Sequence, residues 1–396
     1  MAEFSEVVVV GAGPGGSIAA LDLANSGIEV TLIDRDTFPR SKVCGDELAP
    51  EGVRILSEYG ITHLDRLPEF HPISRVHLHA PDGSTLPLRF RHMESTPEIF
   101  IVPRKILDTL IYEHARDAGA KYIQGNVTGL MRLENGRYQI QYRYKRAVKK
   151  IMCNVIIGAD GSTSTVAQHV HNKKYSDVTR AIAIRAYAEG MTVSPGTIEG
   201  LLHQEWWPGY AWIFPLGEDR ANIGVGMNLK FYKEHNTHLR TLFNQVFSKS
   251  VLDGRMRSGF RISDVRSWPL NLGPPNWNRV VSGRILLVGD AAGLVNPLTG
   301  GGIVNAMTSA QVAAQSIKQY LQGTTTSLKP YSEQLRLIMS SELRLSQIFQ
   351  QTFSRNPWLL QSIIRAATFS HLPLSLVNLI YDDVEIIRDT VQVLDR

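Results

Sequence analysis

The four valines Val7, Val8, Val9 and Val10 run without a polar break into Gly11-Ala12-Gly13-Pro14-Gly15-Gly16. An unbroken apolar run predicts a strand buried on both faces, because a strand with one wet face alternates. A helix over 15–26 follows, closed by Gly27, which suits a left-handed cap. Residues 28–33 form a second buried strand ending at Asp34. Val53, Ile55, Leu56 and Ile61 recur at roughly helical spacing and predict a helix from near Pro50. From Ile73 the pattern turns to alternation: Val76, Leu78, Leu86, Leu88 and Phe90 flank the turn Pro81-Asp82-Gly83-Ser84, which predicts a hairpin. A helix over 103–120 has Ile106, Leu107, Leu110, Ile111 and Ala115 on one face. Strands are predicted over 121–130, 138–144 and 151–157, then a β-rich interval from Arg180 to about Pro269. Helical texture returns after it. Residues 285–288 restore the buried-strand pattern, and from Ser309 the chain is helical, with breaks at Gly323, Pro330, Pro357 and Pro373.

The doubly buried strands are thus interrupted twice by alternating ones. That predicts a mixed α/β protein with interleaved domains. A Rossmann-like dinucleotide domain takes 1–70, 100–180 and 270–325. A β-sheet domain takes 71–99 and 181–269, and a C-terminal helical segment takes 326–396. A chain of 396 residues is long enough for two cores.

The strand–glycine–helix turn carries a specific chemistry. Gly11 permits the tight turn, Gly13 lets a pyrophosphate approach the backbone, and Gly16 lets the helix pack on the strand. Asp34 stands where a carboxylate accepts adenosine ribose hydroxyls. Far along the chain, residues 289–306 run from a strand through Gly289-Asp290 and a Pro/Gly-rich turn into a helix of small residues. Such a helix start offers free N–H groups and a positive dipole. Asp34, Asp160 and Asp290 each follow a strand beside glycine. Singly, each reads as a helix cap. Together they suggest one long ligand touching three segments. FAD has that length, whereas a nicotinamide cofactor leaves 289–306 unexplained. Asp290 is expected at the ribityl or pyrophosphate region, and the N–H groups of Gly300, Gly301, Gly302 and Ile303 at the flavin edge.

Composition narrows the picture. The net charge of +5 suits an anionic cofactor or an anionic membrane surface. No Lys/Arg run with interleaved aromatics suggests nucleic acid, and the basic stretch 143–150 reads as a solvated hairpin. Two cysteines, Cys44 and Cys153, exclude a disulfide framework and a cysteine zinc site. His77 with His79, and His169 with His171, have same-face strand spacing but no partner acid in view, so no metal is expected. The chain enters a strand within a few residues and has no apolar run long enough to span a bilayer. The expectation is a cytoplasmic protein, soluble or peripheral to a membrane, with its oligomeric state left open.

Residues 11–16 with Asp34, Gly158-Ala159-Asp160-Gly161-Ser162-Thr163-Ser164, and Gly289-Asp290 through Pro297 to Gly302 resemble, in order, the signature set of the FAD-dependent hydroxylase superfamily. The set spans about the first 310 residues. Within it, Lys42-Val43-Cys44-Gly45-Asp46 is similar to the K-P-C-G segment of the geranylgeranyl reductase family. Tyr210-Ala211-Trp212-Ile213-Phe214-Pro215 with Asn222-Ile223-Gly224-Val225-Gly226 is similar to that family's aromatic and V-G-x-G strands. Val43 replaces the usual proline.

The resemblance implies non-covalent FAD held by the motif residues together with Arg35, Cys44, Gly45, Arg104, Val127 and Gly161. It also implies reduction of isoprenoid C=C bonds, with electrons from NAD(P)H docking transiently or from a reduced carrier. Cys44 is a candidate catalytic residue, its plainer role being a small buried side chain. Tyr210, Trp212 and Phe214 share a strand face and are candidates for an apolar substrate wall, or for sheet core. The other open readings are an aromatic monooxygenase, a flavin halogenase, for which the required lysine is missing between Val43 and Arg104, and a non-catalytic flavin scaffold. The apolar C-terminal helices, with Phe349, Phe353, Trp358, Leu359, Leu360, Ile363, Ile364, Phe369, Leu372, Leu374 and Leu376, either pack on the FAD domain or close a lipid tunnel. In the second case truncation after about Thr326 spares FAD binding.

Overall fold

In the computed structural model, residues 3–90, 99–171, 176–234, 238–248, 252, 254–369 and 384–386 are described. Leu372, Leu374 and Leu376 lie outside them, as does the side chain of Phe369. The strand Glu3–Val10 sits at the centre of an eight-stranded sheet, parallel to Val30–Asp34 on one side and Ala147–Gly158 on the other. Both edges of the strand are paired and both faces covered, so its valines need no alternation. Ile285–Leu287 extends the sheet beyond Ala147–Gly158, and Lys121–Gln124 extends it beyond Val30–Asp34.

Over this sheet the helix Pro14–Asn25 packs on Ile303–Leu321 and Arg104–Asp117. The first contact is very close. A Cβ on Gly15 would lie 2.8 Å from the Ala306 carbonyl oxygen. Ala306, Ala310, Ala313 and Ala314 on the later helix belong to the same economy of small side chains.

The second sheet also has eight strands, in the order Met256–Asn271, Arg180–Met191, Arg220–Asn228, Tyr210–Pro215, Thr197–Leu201, Arg75–His79, Thr85–Phe90 and Val384–Ile386. Its pairs are antiparallel except that of Thr197–Leu201 with Arg75–His79. Alternation along Tyr210–Pro215 sends Ala211 and Ile213 to one core and Tyr210, Trp212 and Phe214 to the other. Strands of the two sheets come from interleaved stretches of the chain. A small third sheet pairs Glu47–Leu48, Ile99–Ile101 and His71–Ile73 in that order.

Four local expectations are corrected. The strand over 121–130 is two strands, Lys121–Gln124 and Asn126–Arg132, broken at Gly125. A Cβ there would meet the Tyr142 ring at 2.5 Å, and the chain changes partner at that point. His169 and His171 lie on the helix Thr165–His171, so their spacing puts them on different faces. The β-rich interval also holds helices, among them Leu229–Glu234 and Leu239–Val246, the latter burying Leu242, Phe243 and Val246 against one face of the second sheet. The helical texture expected after 269 is a single 3-10 turn, Trp277–Arg279, before the strands resume.

The C-terminal helices serve both cores. Pro330–Arg355 inserts Tyr331, Leu335, Met339 and Leu343 into the core of the first sheet, and the Tyr331 hydroxyl donates to the Leu287 carbonyl at 2.6 Å. Leu360 and Ile364, on Pro357–Phe369, join the cluster of Trp212 and Phe214 instead. A chain ended after Thr326 would strip five core side chains from the first sheet, Leu328 among them. The expectation that such a truncation spares the cofactor domain therefore does not hold.

Gly16 gives the sharpest packing test. A Cβ there would fall 1.8 Å from the Gly11 carbonyl oxygen, a backbone atom that cannot swing away. Gly16→Ala should cost about 1–3 kcal/mol or more of stability, read as a lowered midpoint in urea unfolding.

Candidate functional site

The glycine turn is locked before any ligand arrives. Gly11 has φ +100°, and a Cβ there would touch the Ala159 carbonyl oxygen at 2.4 Å. The Ala12 N–H donates to Asp34 Oδ2 at 2.7 Å, and the Asp36 N–H to Asp34 Oδ1 at 3.0 Å. Gly13 behaves differently. The space its missing side chain leaves is bounded by Nη2 of Arg40 at 3.6 Å and of Arg104 at 3.9 Å. Both guanidinium groups share one carboxylate, Asp108. Arg104 binds it through two bonds of 2.6 and 2.8 Å, and Arg40 lies 3.0 Å away. Arg40 also lies 4.0 Å from Asp34, so two guanidinium groups are held over the helix start by two carboxylates. The buried Arg40 Nε has no partner among the described residues. This concavity fits a dinucleotide pyrophosphate in shape and charge.

A continuous cavity of about 1760 Å³ runs from this cradle to the second sheet. That exceeds the roughly 300–1,000 Å³ of a pocket for one drug-sized ligand, so a cofactor and a second molecule can share it. Every residue singled out from the sequence as cofactor- or substrate-facing lines it, except Ala12 and Gly16, which lie inside the turn.

The three acids divide in role. The Asp160 carboxylate accepts the N–H groups of Thr165 at 2.7 Å and Val166 at 3.2 Å, and the Ser164 hydroxyl. It caps the helix Thr165–His171, as the single-residue reading of such an acid has it. The Asp290 carboxylate is met by its own backbone N–H and by no side-chain donor among the described residues. Burial raises its pKa, while Lys42 pulls it down. In the turn before Ile303–Leu321, the Gly300 N–H is spent on the Asn296 carbonyl at 2.9 Å and the Gly301 N–H on Thr299 Oγ1 at 3.1 Å. These two donors of the expected four close the turn. The helix start from Gly302 is what remains for a ligand.

The segment from Lys42 to Asp46 is gripped by the second sheet. Asp46 is fully buried and takes the Arg104 N–H at 3.2 Å, the Tyr187 hydroxyl at 2.7 Å and Asn222 Nδ2 at 2.7 Å. Asn222 also donates to the Cys44 carbonyl at 2.8 Å and accepts from Trp212 Nε1 at 2.9 Å. Arg185, fully buried, reaches Asp264 at 2.9 Å and the Lys42 carbonyl at 3.1 Å. Burial raises the Asp46 pKa despite these donors. It also pushes the Cys44 thiol up, against the pull of Arg104, so Cys44 stands as a neutral thiol. Lys42 lies with Nζ 3.8 Å from the centre of the Trp268 ring, and burial draws its pKa down to about 7.

Beyond this loop the cavity turns apolar. The Trp212 indole lies on Gly224, where a Cβ would collide at 2.2 Å, which explains the glycine of the neighbouring strand. A Cβ on Gly45 would lie 3.0 Å from the Phe214 ring. The Tyr210 hydroxyl donates to the Thr299 carbonyl, tying the aromatic strand to the turn before Ile303–Leu321. Phe349, Phe353, Leu360 and Ile364 line the same space from the C-terminal helices, whereas Trp358 is exposed. Glu47 lines the cavity too, and burial alone raises its carboxyl pKa to about 7.

Sequence reasoning gave no role to Lys42, Arg40, Asp46, Glu47, Asp108, Arg185, Tyr187 or Asn222. Lys42, Asp46 and Asn222 stood inside the quoted motifs; the others carry no local signal. His79 does have an acid partner, with Nε2 3.1 Å from Glu199, which Arg255 also binds at 2.7 and 2.9 Å.

A family profile described as an FAD binding domain matches residues 5–344. Menaquinone reductase of Mycolicibacterium smegmatis is 30% identical over 78% of this chain and 76% of its own length. Digeranylgeranylglycerophospholipid reductase 2 of Methanosphaera stadtmanae is 31% identical over 79% of each chain. A geranylgeranyl bacteriochlorophyll reductase-like protein of Thermoplasma acidophilum shares the fold, with TM-score 0.78, 22% identity and coverage of 89% of this chain and 88% of that one. The site and fold are those of an FAD-dependent oxidoreductase, and the chain belongs to the geranylgeranyl reductase family within the FAD-dependent hydroxylase superfamily.

Two variants separate cradle from scaffold. Gly13→Val meets no backbone and should fold with an unfolding midpoint close to that of wild-type apoprotein, yet purify colourless because its side chain fills the pyrophosphate space; full flavin absorbance would refute the placement. Asn222→Leu removes a donor from Asp46 and an acceptor from Trp212 at one stroke. It should cost about 2–4 kcal/mol in urea unfolding.

Proposed function

We propose that this protein reduces carbon–carbon double bonds of an isoprenoid chain of the geranylgeranyl type, with electrons from NAD(P)H or a reduced carrier. The observation that carries this reading is the continuity of one cavity. It begins in the arginine cradle and ends at an apolar wall of Tyr210, Trp212 and Phe214, closed by Phe349, Phe353 and Ile364. Bound and reduced, FAD supplies the hydride. The chain's own part is to hold the cofactor between Gly13, Arg40 and Arg104, to set an alkene against the aromatic wall, and to keep water out. The relatives named for prenylated lipids support the substrate class. An aromatic hydroxylase would use the same cofactor cradle, but a wall this apolar and this long suits a hydrocarbon chain better than a small polar ring.

The outer surface supports delivery from a lipid bilayer. Leu337, Ile338, Leu345 and Ile348 are exposed on Pro330–Arg355, and Trp358 follows on the next helix. Leu345 also lines the cavity, so the apolar surface continues inward. Arg336, Arg344 and Arg355 are exposed on the same helix and would meet anionic headgroups. No described helix is long and apolar enough to cross a membrane, which leaves peripheral contact as the mode that fits.

The test is anaerobic. With the flavin reduced by dithionite, geranylgeranyl lipid in vesicles should reoxidise it and aromatic acids should not. Trp212→Ala should slow that reoxidation about tenfold or more while leaving the flavin spectrum nearly unchanged. Reoxidation by neither, with hydroxylation of an aromatic acid under oxygen, would overturn the reading.

A further inference from the structure

Alkene reduction needs a proton as well as a hydride, and the cavity offers few groups able to give one. The Tyr210 hydroxyl is already donated to Thr299, and burial raises its pKa further. The Cys44 thiol is pushed up by burial and is a poor acid. Lys42 is held on the Trp268 ring and paired electrostatically with Asp290. Glu47 remains. It sits on the two-residue strand Glu47–Leu48, directly after the loop that packs Gly45 on Phe214. It lines the cavity, and its side chain has no hydrogen-bond partner among the described residues.

The geometry points to Glu47 as the acid that protonates the second alkene carbon. This rests on the isoprenoid-reductase reading. In the step, the alkene π bond breaks. One carbon receives the hydride with its electron pair from the reduced cofactor, which is thereby oxidised. The neighbouring carbon receives the proton of the Glu47 carboxyl, whose O–H bond breaks to leave a carboxylate. Solvent then returns a proton to that carboxylate.

The surroundings suit such an acid. The titratable groups around Glu47 are Cys44 and Asp46 in its own loop, Glu51 on the helix Pro50–Glu58, His71 on the small third sheet, and Tyr210 on the aromatic strand. Of these only Tyr210 feels its charge, and no described cation lies close enough to hold it ionised. Its pKa of about 7 is raised by burial alone, which leaves about half of the carboxyl protonated at neutral pH and matches donor strength to the operating pH.

The experiment compares wild type, Glu47→Gln and Glu47→Asp as FAD-loaded proteins. In wild type, anaerobic reoxidation by geranylgeranyl lipid vesicles should fall as pH rises through about 7. Glu47→Gln should be about a hundredfold slower and lose that pH dependence, with Glu47→Asp partly restored. Flavin content and reduction by dithionite should be equal in all three.

A second readout needs no turnover. An unfolded glutamate titrates near 4.5 and the buried one near 7, so the stability the neutral acid contributes is complete below about 4.5 and is lost as pH rises through 7. Glu47→Gln should therefore melt higher than wild type at pH 8.5, with the gap narrowing as pH falls through 7 and closing below about 4.5. If wild type is not reoxidised by prenyl lipid, the reductase reading falls and this assignment with it. If wild type reacts but Glu47→Gln matches it in rate and pH profile, or the melting gap does not change with pH, only the Glu47 assignment falls.

Discussion

The buried carboxylate of Asp46 joins the two halves of the molecule. Its donors come from the helix that carries the arginine cradle, through the Arg104 N–H, and from two strands of the second sheet, through Tyr187 and Asn222. A buried carboxylate cannot trade a lost donor for water, so each partner is held by the cost of leaving the group unpaired. Asp46 pays locally for the post with a φ of +68°, a strain of about 1–3 kcal/mol that three hydrogen bonds offset. Arg185 repeats the design one turn earlier by gripping the Lys42 carbonyl.

That joint sets both ends of the cavity at once. On one side the loop leaves Arg40 and Arg104 pointed at the space over Gly13. On the other it presses Gly45 against Phe214, so the aromatic wall stands at a fixed offset from the cradle. Because Asn222 also takes the Trp212 N–H, the orientation of the indole depends on the same buried charge. Arginine cradle and aromatic wall are therefore one mechanical unit, although the residues that make them lie far apart in the chain.

This explains what could be read from the sequence and what could not. The glycine turn and its strand were legible because each residue type answers a local demand: a positive φ, a close backbone approach, an unbroken apolar run. The same face of Tyr210, Trp212 and Phe214 followed from period two. Asp46, Tyr187 and Asn222 gave no such signal. A polar residue that alternates with apolar ones in a strand looks like the wet face, and only the docking of a loop more than 140 residues away makes it dry. Asp160 illustrates the reverse. An acid after a strand suggests a ligand, yet its oxygens are satisfied by the next helix turn. Along Pro330–Arg355, Leu335 is core and Leu337 is surface; the apolar pattern names candidates for both and cannot say which core receives them.

The cavity then sorts its chemistry by distance from the joint. Charge is concentrated at the cradle end, where Arg40, Arg104 and Lys42 face the carboxylates of Asp34, Asp108 and Asp290. The far end is walled by aromatic and aliphatic side chains, with Glu47 as the acid that lacks a cation. The helix that closes this end is rooted by Tyr331, Leu335, Met339 and Leu343 in the core of the first sheet, so the closure is part of the fold. A hydride acceptor with no polar handle can be held only by shape and by exclusion of water. A wall tied to the cofactor domain at Asp46, and closed by a helix anchored in that same domain, supplies both without a polar contact to the alkene.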